Sequence, residues 1–161
     1  MFVTHCYTFT HTLMVVVCDL SVWVVPCVMW VGGAGEDGNV DAVRSWVASG
    51  ADINVVDERG VTPLMVASGC HHAECVAEML RLGADARRVD NNGWTALHWV
   101  AGRGRDGGGG AEVVRLLVAA GCDAAVRDND GRTAVEYARR TFGGGDEWGR
   151  EVEGWVAAAM A

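Results

Sequence analysis

The sequence predicts an all-α protein, a solenoid of about four stacked helix-turn-helix units with projecting β-turn loops. Three observations predict it. An Asp-x-x-Gly turn followed two residues later by threonine returns three times, its aspartates 33 and then 38 residues apart. A second landmark, Gly-x-Asp, keeps the same phase at Gly50, Gly83 and Gly121. Between the landmarks run pairs of short apolar segments with leucine and valine at helical spacing.

The chain starts with an apolar extension, residues 1–28. Leu13 to Val31 form a 19-residue apolar run interrupted only by Asp19, Ser21 and Pro26. That is close to the roughly 20 residues that span a bilayer. Asp19 would cost about 2.5–3.5 kcal/mol near a membrane centre, and no arginine flanks the run to set an orientation. A cleavable leader would also want a positive start, which is missing. The readings open here are a membrane segment at 13–31, a cover for the edge of the first unit, and an upstream extension ahead of Met29.

The first turn is Asp57-Glu58-Arg59-Gly60, followed by Val61, Thr62, Pro63 and Leu64. Asp-x-x-Gly closes tightly because glycine is free to take positive φ. Thr62 is then an N-cap candidate, and Pro63 suits the first helical position. The second turn, Asp90-Asn91-Asn92-Gly93, leads through Trp94 and Thr95 to apolar segments at Ala96–Ala101 and Val113–Ala120. The third, Asp128-Asn129-Asp130-Gly131, leads through Arg132 to Thr133. Gly50, Gly83 and Gly121 sit where a second helix must stop. Each helix has only two or three turns, so a unit cannot bury its own apolar face and neighbours must stack on it.

The phased landmarks and Thr62-Pro63-Leu64-Met65-Val66-Ala67 resemble the ankyrin repeat and its Thr-Pro-Leu-His-x-Ala signature. Thr95-Ala96-Leu97-His98 keeps the histidine, whereas Met65 and Glu136 replace it in the other two turns. Gly38 to Arg44, running into Gly50-Ala51-Asp52-Ile53-Asn54, is similar to the second half of an opening repeat. The resemblance covers about residues 29–161, with repeats at approximately 29–56, 57–89, 90–127 and 128–161. Several positions depart from the pattern. Val100 stands where alanine is expected, and Glu78 where the second helix normally carries an apolar residue. Arg103 to Gly110 lengthen the second full unit, and Gly143 to Gly149 the third. The closing helix is expected over Glu151 to Ala161.

Composition excludes several function classes. Of 161 residues 13 are basic and every one is arginine, so no catalytic lysine, Schiff-base amine or Walker lysine exists. A formal charge of −8 with no basic cluster argues against nucleic acid, whose affinity rests on phosphate neutralisation. The six cysteines are irregularly spaced, which reads as free thiols in a reducing compartment.

The remaining candidate chemistry resolves into structure. Cys70-His71-His72-Ala73-Glu74-Cys75 holds several ligand types, but they crowd one helix–helix turn instead of forming two separated pairs. Cys75 also takes a position that is Val113 in the next unit. Asp128-Asn129-Asp130-Gly131 resembles part of a calcium loop, yet the first and twelfth ligand positions would fall on Val126 and Tyr137. The glycine run at 107–110 is followed by no Gly-Lys-Ser/Thr. His98 has no nucleophile implied beside it. No catalytic residue, metal or cofactor is expected.

What the resemblance implies is a scaffold or adaptor that binds a protein through its turn tips and concave helix face. The candidate contact residues are Glu58, Arg59, Val61, Asn91, Asn92, Trp94, Asn129, Asp130 and Arg132. Trp94 is the expected aromatic anchor, with Arg103 and Arg105 adding contacts from the insertion. The chain is expected to be a monomer inside the cell, cytoplasmic or nuclear, or membrane-tethered if residues 13–31 anchor it.

Overall fold

Each helix starts where a side chain can occupy the backbone N–H groups that its first turn leaves unpaired. The computed structural model describes residues 38–103, 109–141 and 147–161. The described elements are α1 (Val40–Ala48), α2 (Pro63–Gly69), α3 (Ala73–Arg81), α4 (Ala96–Arg103), α5 (Gly110–Ala119), α6 (Ala134–Thr141) and α7 (Glu147–Met160), with no strand among these residues. Asn39 caps α1, its side chain accepting from the Ala42 N–H at 3.0 Å. Thr62 caps α2 by accepting from the Met65 N–H, with Pro63 at the first helical position as expected.

The three residues at the histidine position do one job with different atoms. The N–H of Thr62 points at the Met65 sulfur (3.4 Å), that of Thr95 donates to His98 Nδ1 (3.2 Å), and that of Thr133 donates to the Glu136 carboxylate (2.9 Å). Each side chain reaches back to the N-cap N–H, a capping-box arrangement that tolerates thioether, imidazole and carboxylate alike.

Helices α2, α4 and α6 stack in one row, and α1, α3, α5 and α7 in a second row against it. This is the all-α solenoid that the period implies. Between the rows lies one continuous core, including Val43, Leu64, Met65, Val76, Met79, Leu97, Val113 and Leu117. Val100 is as fully buried as Ala67 and Ala138 at its register, so the larger side chain is core packing. Gly50, Gly83 and Gly121 all take positive φ just beyond α1, α3 and α5.

Two glycines expected in insertions lie inside helices. Gly110 begins α5, where an added Cβ would sit 2.7 Å from the Trp155 ring. Gly149 belongs to α7, which starts at Glu147, four residues before the expected start, and approaches Arg139 of α6 closely. The absence of a side chain permits both approaches.

Glu78 is the other position where the sequence departs from an apolar pattern, and the structure supplies the reason. Its carboxylate accepts from Arg81 Nη2 and Nε at 2.7 and 2.9 Å, and from Arg44 Nε of α1 at 2.7 Å. An almost buried carboxylate thus ties the first two helices of the second row together. Hydrogen bonds from Arg81 and then Arg44 hold its pKa down at about 2.

No helix among the described residues is long and apolar enough to cross a membrane. The apolar run 13–31, Cys6, Cys18, Cys27 and Arg105 lie outside the described residues.

Candidate protein-binding face

The turns at the tips of the units are built identically. Asp57 Oδ1 accepts from the N–H groups of Arg59 and Val61, both at 2.8 Å. Asp90 Oδ1 accepts from Asn92 (2.8 Å) and Trp94 (3.0 Å), and Asp128 Oδ1 from Asp130 (3.0 Å) and Arg132 (2.8 Å). Each aspartate N–H donates to the carbonyl of the residue four positions on, at 2.8–3.1 Å. The carboxylate thereby replaces solvent for a whole turn, and the tips are preorganised.

The tips are also joined to one another. Asn91 donates its backbone N–H to the Arg59 carbonyl (2.8 Å) and its Nδ2 to the Glu58 carbonyl (3.0 Å). Asn129 repeats this one unit later, donating to the carbonyls of Asn92 and Asn91, both at 2.9 Å. The result is a ladder of three turns along one edge of the solenoid.

Eight of the nine sequence-predicted contact residues reach the surface at least in part. Glu58, Arg59, Asn91, Asn92, Asn129 and Asp130 are exposed, and Trp94 and Arg132 are half-buried. Val61 does not, being 1% exposed within the core cluster. Its N–H is held by Asp57 and its carbonyl by the Asp57 N–H, which turns this residue back under the tip. Trp94 and Arg132 occupy the same register; valine is small enough to be covered completely, whereas their longer side chains extend past the cover. The carboxamides of Asn91 and Asn129 are engaged in the ladder and hold the tips in line.

Trp94 is one part of a larger aromatic patch. Its ring meets Tyr137 of α6 edge-on (4.7 Å between centroids, 66°) and Trp99 of α4 edge-on (6.1 Å, 81°), and lies over His98 at 6.5 Å. Trp99 and Tyr137 are half-buried, and sequence reasoning did not single them out. The available signal was their shared register: each lies four residues after the capping threonine, so both fall on one side of consecutive helices. The Arg132 guanidinium lies 5.2 Å from the centre of the Tyr137 ring. Trp99 donates its indole N–H to Asp90 Oδ2 at 3.2 Å.

His98 is buried beneath this patch. Because Nδ1 accepts from the Thr95 N–H, Nε2 carries the proton and donates to the Arg132 carbonyl at 3.1 Å. Burial, the largest influence, lowers its pKa from the ordinary imidazole value. Both ring nitrogens are thus occupied in linking the second and third turns.

The cysteine–histidine segment is divided among structural tasks. Cys75 is buried in the core, and burial pushes its thiol pKa up. His71 is buried with Nε2 3.3 Å from the Val100 carbonyl of α4. Among the described residues no three His, Cys, Asp or Glu side chains gather as metal ligands would.

Comparison with known proteins places this architecture. The chain is 30% identical over 96 residues to ankyrin repeat and SOCS box protein 3 of Bos taurus, covering 58% of this chain and 17% of that protein. It is 36% identical over 105 residues to the probable E3 ubiquitin-protein ligase XBOS34 of Oryza sativa subsp. japonica, covering 63% of this chain and 20% of the relative. With ankyrin repeat domain-containing protein 13B of Mus musculus it shares 44% identity over 50 residues, 31% of this chain and 8% of the other. The chain therefore spans a fifth or less of the length of these relatives. Residues 32–128 match the family model for ankyrin repeats in three copies. That fold generally serves protein interaction and is non-catalytic in itself. With two helix rows, a ladder of Asp-x-x-Gly turns and this match, the chain belongs to the ankyrin repeat family.

Proposed function

We propose that this chain is a scaffold or adaptor, not an enzyme, and that it binds a protein partner through its turn tips and the adjoining face of α2, α4 and α6. The observation that carries this reading is the partly open aromatic patch of Trp94, Trp99 and Tyr137, set beside turns already fixed by their aspartates. Partly exposed aromatic residues on a preorganised support lose little entropy on binding and supply contact area. Glu58, Arg59, Asn92, Asp130 and Arg132 form the polar rim around it. The reading includes a monomeric chain inside the cell, with an extension over 1–28 and repeats at about 29–56, 57–89, 90–127 and 128–161. A second reading, a membrane tether through residues 13–31, is favoured by the 19-residue apolar run and is tested by flotation of the full chain with lipid vesicles.

Proximity labelling with the full chain, compared with Trp94→Ala and Asn92→Ala, tests the interaction face. The expected result is loss of a discrete set of labelled proteins in the variants, with unchanged circular dichroism. An unchanged set would mean that the working surface lies elsewhere.

A further inference from the structure

The three turns differ in one respect that bears on the partner. Each aspartate uses Oδ1 on two backbone N–H groups, and each has Oδ2 left to satisfy. In the first turn Arg59 Nε donates to Asp57 Oδ2 at 3.3 Å, and in the third Arg132 Nε donates to Asp128 Oδ2 at 3.3 Å. Both flanking turns therefore supply a guanidinium to their own carboxylate. In the middle turn Asn92 and Trp94 stand where Arg59 and Arg132 stand in the others, and among the described residues Oδ2 takes only the neutral Trp99 N–H. Asp90 is 5% exposed and, among the described residues, its carboxylate has no cation in contact.

Three further observations surround this carboxylate. Trp94 and Trp99, edge to face beside it, are each half-buried, so neither residue is fully covered. Arg132, resting against Tyr137 while paired with Asp128 and Asp130, is a worked example within the same chain of a guanidinium held by a ring and a turn carboxylate. The three tips together, residues 57–61, 90–94 and 128–132, carry five carboxylates against two guanidinium groups, and both of those are already paired. The local field favours a positive partner, and aromatic faces bind a planar, weakly hydrated guanidinium better than an ammonium.

We propose that the middle turn takes an arginine side chain of a protein partner, its guanidinium lying against Trp94 and Trp99 beside the Asp90 carboxylate. It fills from outside the role that Arg59 and Arg132 fill within their own turns. This deepens the interaction reading above and rests on it for the identity of the partner as a protein. Arginine is the assigned anchor, because the site offers ring faces plus one shielded carboxylate and no ring of exposed acids.

The test uses the full chain, isotopically labelled, and three short blocked peptides that differ only in a central arginine, lysine or citrulline. The readout is the indole N–H resonances of Trp94 and Trp99, assigned with Trp94→Phe and Trp99→Phe. The arginine peptide is expected to shift both resonances saturably, with citrulline at least about fivefold weaker and lysine between them. Asn92→Arg, which installs a guanidinium at the position of Arg59, is expected to weaken the arginine peptide by about fivefold or more. Ser45→Arg, the same charge change on the exposed side of α1, retains binding. Equal affinity for arginine and citrulline overturns the proposal, as does no response to the arginine peptide or wild-type binding by Asn92→Arg. A lysine peptide that binds as well as arginine overturns the assignment of the anchor. A labelled protein set that is lost in Trp94→Ala but indifferent to Asn92→Arg sinks this inference alone. Indole shifts with arginine and a set insensitive to Trp94→Ala sink the broader interaction face instead.

Discussion

The turn ladder makes a quantitative prediction that compares two glycines of the same conformation. Gly93 and Gly131 both hold φ of +76°, so alanine at either site incurs the left-handed penalty of about 1–2 kcal/mol. Their surroundings differ. A Cβ on Gly93 would meet the Asn129 Oδ1, Asn129 N and Asp128 Cα at 3.0–3.2 Å, whereas one on Gly131 meets nothing within 4 Å. The neighbours at Gly93 include backbone of the next turn, which cannot rotate aside. Gly93→Ala must therefore push the third turn off the second and lengthen the bonds from Asn129 to Asn91 and Asn92. Two hydrogen bonds at about 0.5–1.5 kcal/mol each add about 1–3 kcal/mol to the conformational term. The expected losses are about 1–2 kcal/mol for Gly131→Ala and about 2–5 kcal/mol for Gly93→Ala. Urea unfolding followed by far-ultraviolet circular dichroism measures both, and equal losses would refute the claim that the ladder bears on stability.

Three other outcomes follow from particular side chains. Because His98 has its pKa lowered in the fold, the unfolded chain binds the extra proton, so stability is lost as pH falls below the ordinary value of about 6.5. Unfolding midpoints should show this loss, and His98→Met, which copies Met65, should remove it. Glu78 has a lowered pKa of about 2 against an ordinary 4.5; its contribution is intact above 4.5 and is lost as pH falls toward 2. Glu78→Gln should be less stable at neutral pH and should flatten the acid limb, as read by unfolding across that range. Val61→Ala should cost about 1.5–3 kcal/mol of stability, since a fully buried valine is truncated. The same variant should leave the arginine-peptide shifts at Trp94 and Trp99 in place below its unfolding midpoint; loss of those shifts in a folded variant would return Val61 to the contact surface.

Much of this fold was legible because its cues are local. A turn aspartate acts on residues two and four positions ahead, and a capping threonine on the residue three ahead, so both appear within one short string of letters. The fates of Glu78 and Asn91 were not legible in the same way. Each depends on a partner about 33 residues away, brought near only when one unit stacks on the next. Glu78 looks misplaced in α3 until Arg44 of α1 arrives beside it. Asn91 and Asn129 are exposed, and that their carboxamide N–H groups also bond the preceding turn shows only once the units stack. In the candidate face, Trp94 stood out by its place after the turn, whereas Trp99 meets it only once α4 winds and Tyr137 only across the α4–α6 contact.

Every bond in the turn ladder runs in one direction. The later turn donates, through the Asn91 and Asn129 backbone and carboxamide N–H groups, and the earlier turn accepts. During synthesis the accepting carbonyls of Glu58 and Arg59 leave the ribosome before Asn91 exists, and those of Asn91 and Asn92 before Asn129. Each donor is therefore translated after its acceptors, which water satisfies until the next unit stacks. The edge of the molecule is in this sense a vectorial zipper, its bonds all pointing back along the order of translation.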